Sequence, residues 1–480
     1  MTDQQIRDTL TNRMATHRID LERLVAIPSV SAEGFDHTEV RRCAEVVRDL
    51  LTARGCENAR LLEIDGGHPA VYADWMGAGE DRPTVLCYAH YDVQPPGDPA
   101  KWTTPPFEPT ERAGRLYGRG AADDKAGIMV HVAAIDAWLS SYDHLPVNVK
   151  VIVEGEEETG SAHLNELLDV HGDVLRADVI VITDSANWKV GVPALTNSLR
   201  GLVDCVVELR ALDHPLHSGM YGGPVPDPLT GMLKLLAGMT DDRGVVTIPG
   251  FTDDAATTAT DHRAALERLG FDLDDFRDEA GMLDGVELVG GNDRHVLERL
   301  WYRPTISVIG LDAPPVATAS NTLPASARAK VSARLAPGQD PQRAMETLVK
   351  WLEAHAPWGL HVEVTPGTAG SGYFAAPGHP AMRAARRALS AAYGHEAAVI
   401  GIGGSIPLIE PLTRAFGDIP ALLTGVEDPD SRAHGIDESL HIDDWERACL
   451  AQAYLLDELS DVRGAWFRET RGGPSATGPS

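Results

Sequence analysis

The sequence predicts an α/β protein in which a largely parallel central sheet, flanked by helices, is interrupted by an inserted α+β domain. Three observations carry this prediction. Between residues 83 and 184 short apolar runs alternate with a helical pattern, as buried strands joined by helical crossovers do. Near residue 199 the pattern changes to one long alternating strand. After a Gly/Pro-rich link at 367–380 the short apolar runs return.

Taken in order, MTDQQIRDTLTNRMATHRIDLERLV carries Ile6, Leu10, Met14, Leu21 and Leu24 at approximately helical spacing and reads as an amphipathic helix. It has no apolar signal core, so a cytoplasmic location is expected. TVLCYAHYDV (84–93), VNVKVIVE (147–154) and ADVIVITD (177–184) read as strands, and KAGIMVHVAAIDAWL (125–139) as a helix. RGLVDCVVELRAL (200–212) is the long alternating strand. A helix near 227–240, an acidic helical stretch at 252–300, and strands at 303–310, 327–335 and 360–365 complete the insertion. AAVIGIG (397–403) and IPALLTGV (419–426) are again strands, and DDWERACLAQAYLLDEL (443–459) a terminal helix. The expected organisation is a catalytic domain in two parts, 1–198 and 371–470, around an insertion at 199–370, with 471–480 a disordered tail.

At 480 residues the chain exceeds one ordinary core, which suits two domains. Acidic residues outnumber basic ones 71 to 42, a formal charge of −29 that repels phosphate backbones and anionic lipid, so no nucleic-acid partner is expected. No run approaches the roughly 20 apolar residues of a membrane helix, so no membrane partner is expected either. The five cysteines are scattered without a CxxC pair, which suggests buried free thiols rather than disulfides or a thiolate metal site.

The residues with chemistry cluster at strand ends, where α/β sheets gather ligands. In AHYDVQPP, His90 and Asp92 are two apart and share a face of an extended strand. A carboxylate behind an imidazole fixes its tautomer and improves it as a metal ligand, although a lone His-x-Asp is common. LYGRGAADDKAG brings Asp123 and Asp124 into a helix start, where either could equally be an N-cap. VIVEGEEETGS carries Glu154, Glu156, Glu157 and Glu158, an arrangement that is usually a solvated acidic loop. Asp184 ends VIVITD, and SRAHGIDESLHIDD offers His434 and His441. As a set these are nitrogen and oxygen donors without thiolates, suited to two divalent ions about 3.5–4 Å apart, with zinc, manganese and cobalt all compatible.

At this point the sequence resembles the co-catalytic di-metal exopeptidases that include aminoacylases, glutamate carboxypeptidase and carnosinases, and in particular the cytosolic non-specific dipeptidase and carnosinase branch. HYDVQP, LYGRGAADDKAG, EGEEETGS, VITDS, LHSGMYGG, ARLAPG, GIGGSIP and AHGIDESL carry the resemblance, in order along the chain. It implies His90, Glu158, Asp184 and His434 as terminal ligands of two metal ions, zinc first, with Asp123 bridging them. It makes Asp92 the partner of His90, and Glu157 the general base toward a hydroxide shared by the ions. His434 is favoured over His441 because the family's last ligand stands in an AHxxxE context, matched by Ala433, His434 and Glu438. The resemblance further implies that the insertion is a lid and dimerisation domain, and that His217 serves the partner subunit's site in a homodimer. Arg334, Gly403, Gly404 and Ser405 would hold the substrate carboxylate, with Asn321 and Thr322 nearby. Glu156 departs from the family's neutral residue and is expected to face away from the metals. The activity implied is hydrolysis of dipeptides, with an N-acyl amino acid deacylase or desuccinylase on the same centre as the alternative.

Overall fold

The computed structural model describes residues 3–255, 266–291, 296–375, 378–404, 409–417 and 419–462. Ser405 and the tail at 471–480 therefore lie outside the described residues, as does part of the acidic stretch at 252–300. The chain divides into two compact units, one of residues 1–197, 375–400 and 407–480, the other of residues 198–374 and 401–406.

The first unit is built on a sheet whose four central strands run parallel, in the order Asn148–Glu154, Thr84–His90, Val179–Ile182 and Ala421–Leu423. Ala70–Trp75 and then Glu57–Leu62 add antiparallel strands on one side, and Ala194–Leu199 pairs antiparallel on the other through Thr196. Thr84–His90 and Val179–Ile182 are buried along their whole length, which explains their continuous apolar sequence. Helix Lys125–Tyr142 packs against both Gln4–Val25 and Ile442–Ser460, and the latter against Pro380–Tyr393. Lys125 is fully buried at the start of its helix, where Nζ donates to the carbonyls of Leu24, in the last turn of the first helix, and Ile27, just beyond its end. Its cation thus satisfies acceptors at a helix C-terminus.

The second unit is a four-stranded antiparallel sheet, ordered Thr305–Asp312, Ser326–Leu335, Gly201–Arg210 and His361–Gly370. Alternation along Gly201–Arg210 puts Val203, Cys205, Val207 and Leu209 into a core with helices Pro228–Ala237 and Pro341–Ala354. Both helices begin with Pro after a capping aspartate, Asp227 and Asp340, whose side chains accept from the first turn. The other face of the sheet is more open and carries Arg334, Ser332 and Lys330. Within the stretch 252–300, expected to be acidic and helical, the described residues hold the 3-10 turn Asp253–Ala255, helical residues at 266–267 and the short helices Leu273–Glu279 and Val296–Tyr302, separated by turns. The link expected at 367–380 also differs: its first residues complete the strand His361–Gly370.

Five free cysteines are all buried, and among the described residues no helix is long and apolar enough to cross a membrane.

Candidate metal centre

The carboxyl ends of the parallel strands bring six of the sequence-predicted residues together. Strand Thr84–His90 ends on His90, Val179–Ile182 leads to Asp184, and Asn148–Glu154 runs into a short 3-10 turn, Glu157–Thr159. That turn resolves a geometric problem. Adjacent residues on an extended strand point to opposite faces, but here Glu157 groups with His90 and Asp184, and Glu158 with Asp123 and His434. Asp123 presents its two oxygens to different partners. Oδ1 lies 3.0 Å from His90 Nε2, and Oδ2 lies 3.1 Å from His434 Nε2, which is also 3.1 Å from Glu158. His90 stands 3.9 Å from Asp184.

These distances suit ligands gathered about shared cations. Two donors on one tetrahedral zinc, bonded at about 2.0–2.1 Å, are roughly 3.3 Å apart. The protonation pattern agrees. Asp123 and Glu158 raise His434 to about 10, and although burial pulls His90 down, Asp123, Asp92 and Asp184 together outweigh it and raise His90 well above an ordinary histidine. Burial alone would raise Asp123, yet His434 and His90 hold it well below the usual carboxylate range. The carboxylates thus hold positive charge where divalent ions would lie. The residues fit a two-metal centre, with His90, Asp123 and Asp184 around one position and Asp123, Glu158 and His434 around the other.

The supporting residues explain the precision. Asp92 is fully buried; its Oδ2 accepts from Ser31 Oγ at 2.7 Å and from the Glu158 amide at 3.1 Å, and its Oδ1 lies 3.4 Å from His90 Nδ1. The nearer acceptor for that nitrogen is the Asp92 main-chain carbonyl, at 3.1 Å. Either way Nδ1 is engaged and Nε2 is left for the cluster. Gln94 binds Glu158 through its main-chain amide at 3.1 Å and its side chain at 2.9 Å. Asp124 is buried beside Asp123 across a cis peptide bond and accepts from the His90 amide. Glu438 is the anchor beneath the loop that carries Asp123: its carboxylate accepts from Arg119 Nη1 and from the amides of Gly120, Ala122 and Asp123. His434 adopts φ of 62°, an uncommon conformation for a non-glycine residue, and its side chain is 58% exposed, so that end of the centre faces solvent.

The remaining glutamates separate cleanly. Glu154 is buried and accepts from Tyr88. Glu156 is buried too, accepting from the His68 amide and from both the amide and Nδ1 of His163, so it faces away from the centre. Burial, reinforced by Asp184 and Glu158, pushes Glu157 up to about 8 against the pull of His90, which suits a proton-shuttling group. His441 stands apart, capping the terminal helix at the Asp444 amide.

One carboxylate escaped the sequence reading. Glu427 groups with Asp123 and Asp184 at the same strand ends. Burial, Asp123 and Asp184 push it well above the usual range. Its context, VEDPD, matches no metal motif; its position just beyond strand Ala421–Leu423 is the one signal that could have found it.

In the second unit His217 and Thr322 are cross-strand partners in a two-residue ribbon, and the Asn321 carbonyl accepts from the Ser218 amide. All three predicted residues there are exposed. Arg334 is half-buried on the open face of the sheet, opposite Leu202 and Thr305. The Gly403 and Gly404 carbonyls both accept from Arg200.

Residues 86–458 match the model of Peptidase family M20/M25/M40. The chain belongs to that family. A cysteinylglycine-S-conjugate dipeptidase of Corynebacterium striatum is 37% identical over 378 residues, 78% of this chain and 81% of that protein. Among solved structures, an M20 family metallo-carboxypeptidase from Sulfolobus solfataricus superposes with a TM-score of 0.79 at 28% identity, covering 92% of this chain and 99% of that one. Human carnosine dipeptidase 1 superposes with a TM-score of 0.77 at 26% identity, covering 96% and 99%. The peptidase expectation and the α/β fold with its mostly parallel sheet are thereby borne out.

Proposed function

We propose that the chain hydrolyses the peptide bond of dipeptides at a two-metal centre. The observation that carries this reading is the convergence of His90, Asp123, Glu158, Asp184 and His434 with the acid–base group Glu157, in a family whose relatives include dipeptidases. Two divalent ions, when bound, supply Lewis acidity and activate water at neutral pH; zinc is the first choice, with manganese or cobalt compatible. Glu157 takes the proton of the attacking water and returns it to the leaving amine. Asp92 holds His90 in register, and Gln94 does the same for Glu158.

In the second unit Arg334, with Gly403, Gly404 and Ser405, takes the substrate's terminal carboxylate, for which a guanidinium fork is suited. His217, beside Thr322 and Asn321, stabilises the carbonyl oxygen in the partner subunit's site. The insertion at 199–370 serves as lid and dimerisation domain. Its edge strand Thr305–Asp312 supports the homodimer, because Val308, Ile309 and Leu311 are 46%, 58% and 41% exposed along an open sheet edge.

Dipeptides are favoured over N-acylated amino acids because the similar proteins include a cysteinylglycine-S-conjugate dipeptidase. The test is hydrolysis of alanyl-alanine and cysteinyl-glycine beside N-acetyl and N-succinyl amino acids. Dipeptides are expected to be cleaved with kcat/KM at least tenfold higher. Preference for the acylated substrates would replace this reading with a deacylase or desuccinylase.

A further inference from the structure

Arg200 is a buried cation of the second unit whose chemistry is left unused by this reading. The residue is only 8% exposed, and among the described residues no carboxylate lies within ion-pair distance of it. Buried cations are ordinarily paired, because desolvating an uncompensated charge is costly. Here the partners are neutral. Nε donates to the Gly403 carbonyl at 3.0 Å and Nη1 to Thr305 Oγ1 at 3.1 Å, while the main-chain amide donates to the Gly404 carbonyl at 3.2 Å. Nη2 makes no hydrogen bond among the described residues.

A second guanidinium stands near enough to act on it. Arg334 is the register partner of both Leu202 and Thr305, so Thr305 links the two arginines across the sheet. Burial first, and then Arg334, push Arg200 down to about 10, which leaves it charged at neutral pH. The Gly403 turn packs closely on this side chain: a Cβ there would stand 3.0 Å from Arg200 Nη2 and displace it. Arg200 also borders a cavity of about 750 Å³ in this unit, so small molecules have a route to it.

Two neighbouring cations, one buried and short of an anion, make a place for a carboxylate. We propose that Arg200 is a positioning and specificity residue for the substrate's terminal carboxylate: it fixes the Gly403–Gly404 turn and adds its charge to that of Arg334. The inference rests on the dipeptide reading above. It explains why an arginine without an acidic partner is buried beside a glycine turn, which the assignment of Arg334 alone does not.

The experiment compares alanyl-glycine with alanyl-glycinamide, which lacks the carboxylate, as substrates of the metal-loaded wild type, Arg200→Met and Arg200→Lys. Losing a charge-assisted contact is worth about 10- to 100-fold. Arg200→Met is therefore expected to raise KM for alanyl-glycine by that factor, with kcat falling much less and the carboxamide barely affected. Arg200→Lys, which keeps the charge without the fork, should fall between. Free glycine should raise the melting temperature of the wild type and not that of Arg200→Met. Should Arg200→Met fail to fold, Arg200→Lys carries the same comparison. Equal losses on acid and amide would show a purely structural role and overturn the inference. A wild type inactive on every dipeptide would instead overturn the reading beneath it.

Discussion

Glu438→Gln is the most informative single substitution outside the proposed ligand set. The Glu438 carboxylate is fully buried and accepts four hydrogen bonds: from Arg119 Nη1 at 2.6 Å, Gly120 N at 3.0 Å, Ala122 N at 3.0 Å and Asp123 N at 3.1 Å. Burial pushes its pKa up, while Arg119 and the amides pull it back. Geometry argues for the ionised form, since four donors converge and a bound proton would oppose one of them. Glutamine keeps the shape but turns an NH2 group toward two N–H donors and leaves the buried Arg119 without its anion. Breaking a buried pair in this way costs about 3–5 kcal/mol. The Asp123 amide loses its tether when the NH2 group takes that side, and loss of such a supporting contact lowers metal affinity about 10- to 100-fold. Urea denaturation of the metal-free protein should show the destabilisation, and competition with a chromophoric chelator the weakened binding. A variant within 1 kcal/mol of wild type that holds both metals with unchanged affinity would refute the account of how Asp123 is positioned.

Other expectations follow the same logic. His131 is fully buried and pushed down to about 4 by burial, so the folded protein keeps it neutral while the unfolded chain protonates it below its ordinary value of 6.5. Its contribution is intact above pH 6.5 and is lost as pH falls toward 4, by ~3 kcal/mol; His131→Gln should flatten that part of the stability–pH curve, and equal slopes would contradict the assignment. Glu156→Ala should leave metal content unchanged but destabilise the fold by ~2–3 kcal/mol, because the His68 and His163 amides lose their acceptor; loss of bound metal would place Glu156 in the centre after all. Ile309→Asp should shift the protein to monomers in analytical ultracentrifugation and reduce turnover sharply, since His217 would no longer reach a partner's site; a fully active monomer would remove His217 from the mechanism.

Much of the fold was legible because burial on both faces writes strands as unbroken apolar runs, as in VIVI at 179–182, and burial on one face writes them as alternation, as in Gly201–Arg210. The residues of the centre were legible because ligand chemistry restricts their types and the surrounding motifs fix their order. Sequence periodicity could not show that the chain turns at Glu157, which lets two adjacent glutamates enter one cluster. Glu438 appeared only as motif context, since its work is to accept main-chain amides more than three hundred residues away in sequence. Glu427 and Arg200 were hidden for a related reason: their significance lies in what the fold brings beside them, Asp123 and Asp184 in one case and the Gly403–Gly404 turn and Arg334 in the other, which has no signature along a chain. The short helices within 252–300 were hard to place because that stretch carries acidic residues and glycines without a sustained apolar period.

The central claim, a two-metal hydrolytic centre driven by Glu157, is tested most directly by titrating metal-depleted protein with Zn2+ or Mn2+ while following alanyl-alanine hydrolysis in wild type and Glu157→Ala. The account predicts that wild-type activity rises to a plateau at two bound ions per chain. Glu157→Ala should bind the same two ions and lose turnover by about a factor of 100 or more. Hydrolysis that persists in excess chelator, or a Glu157→Ala variant as active as wild type, would contradict it.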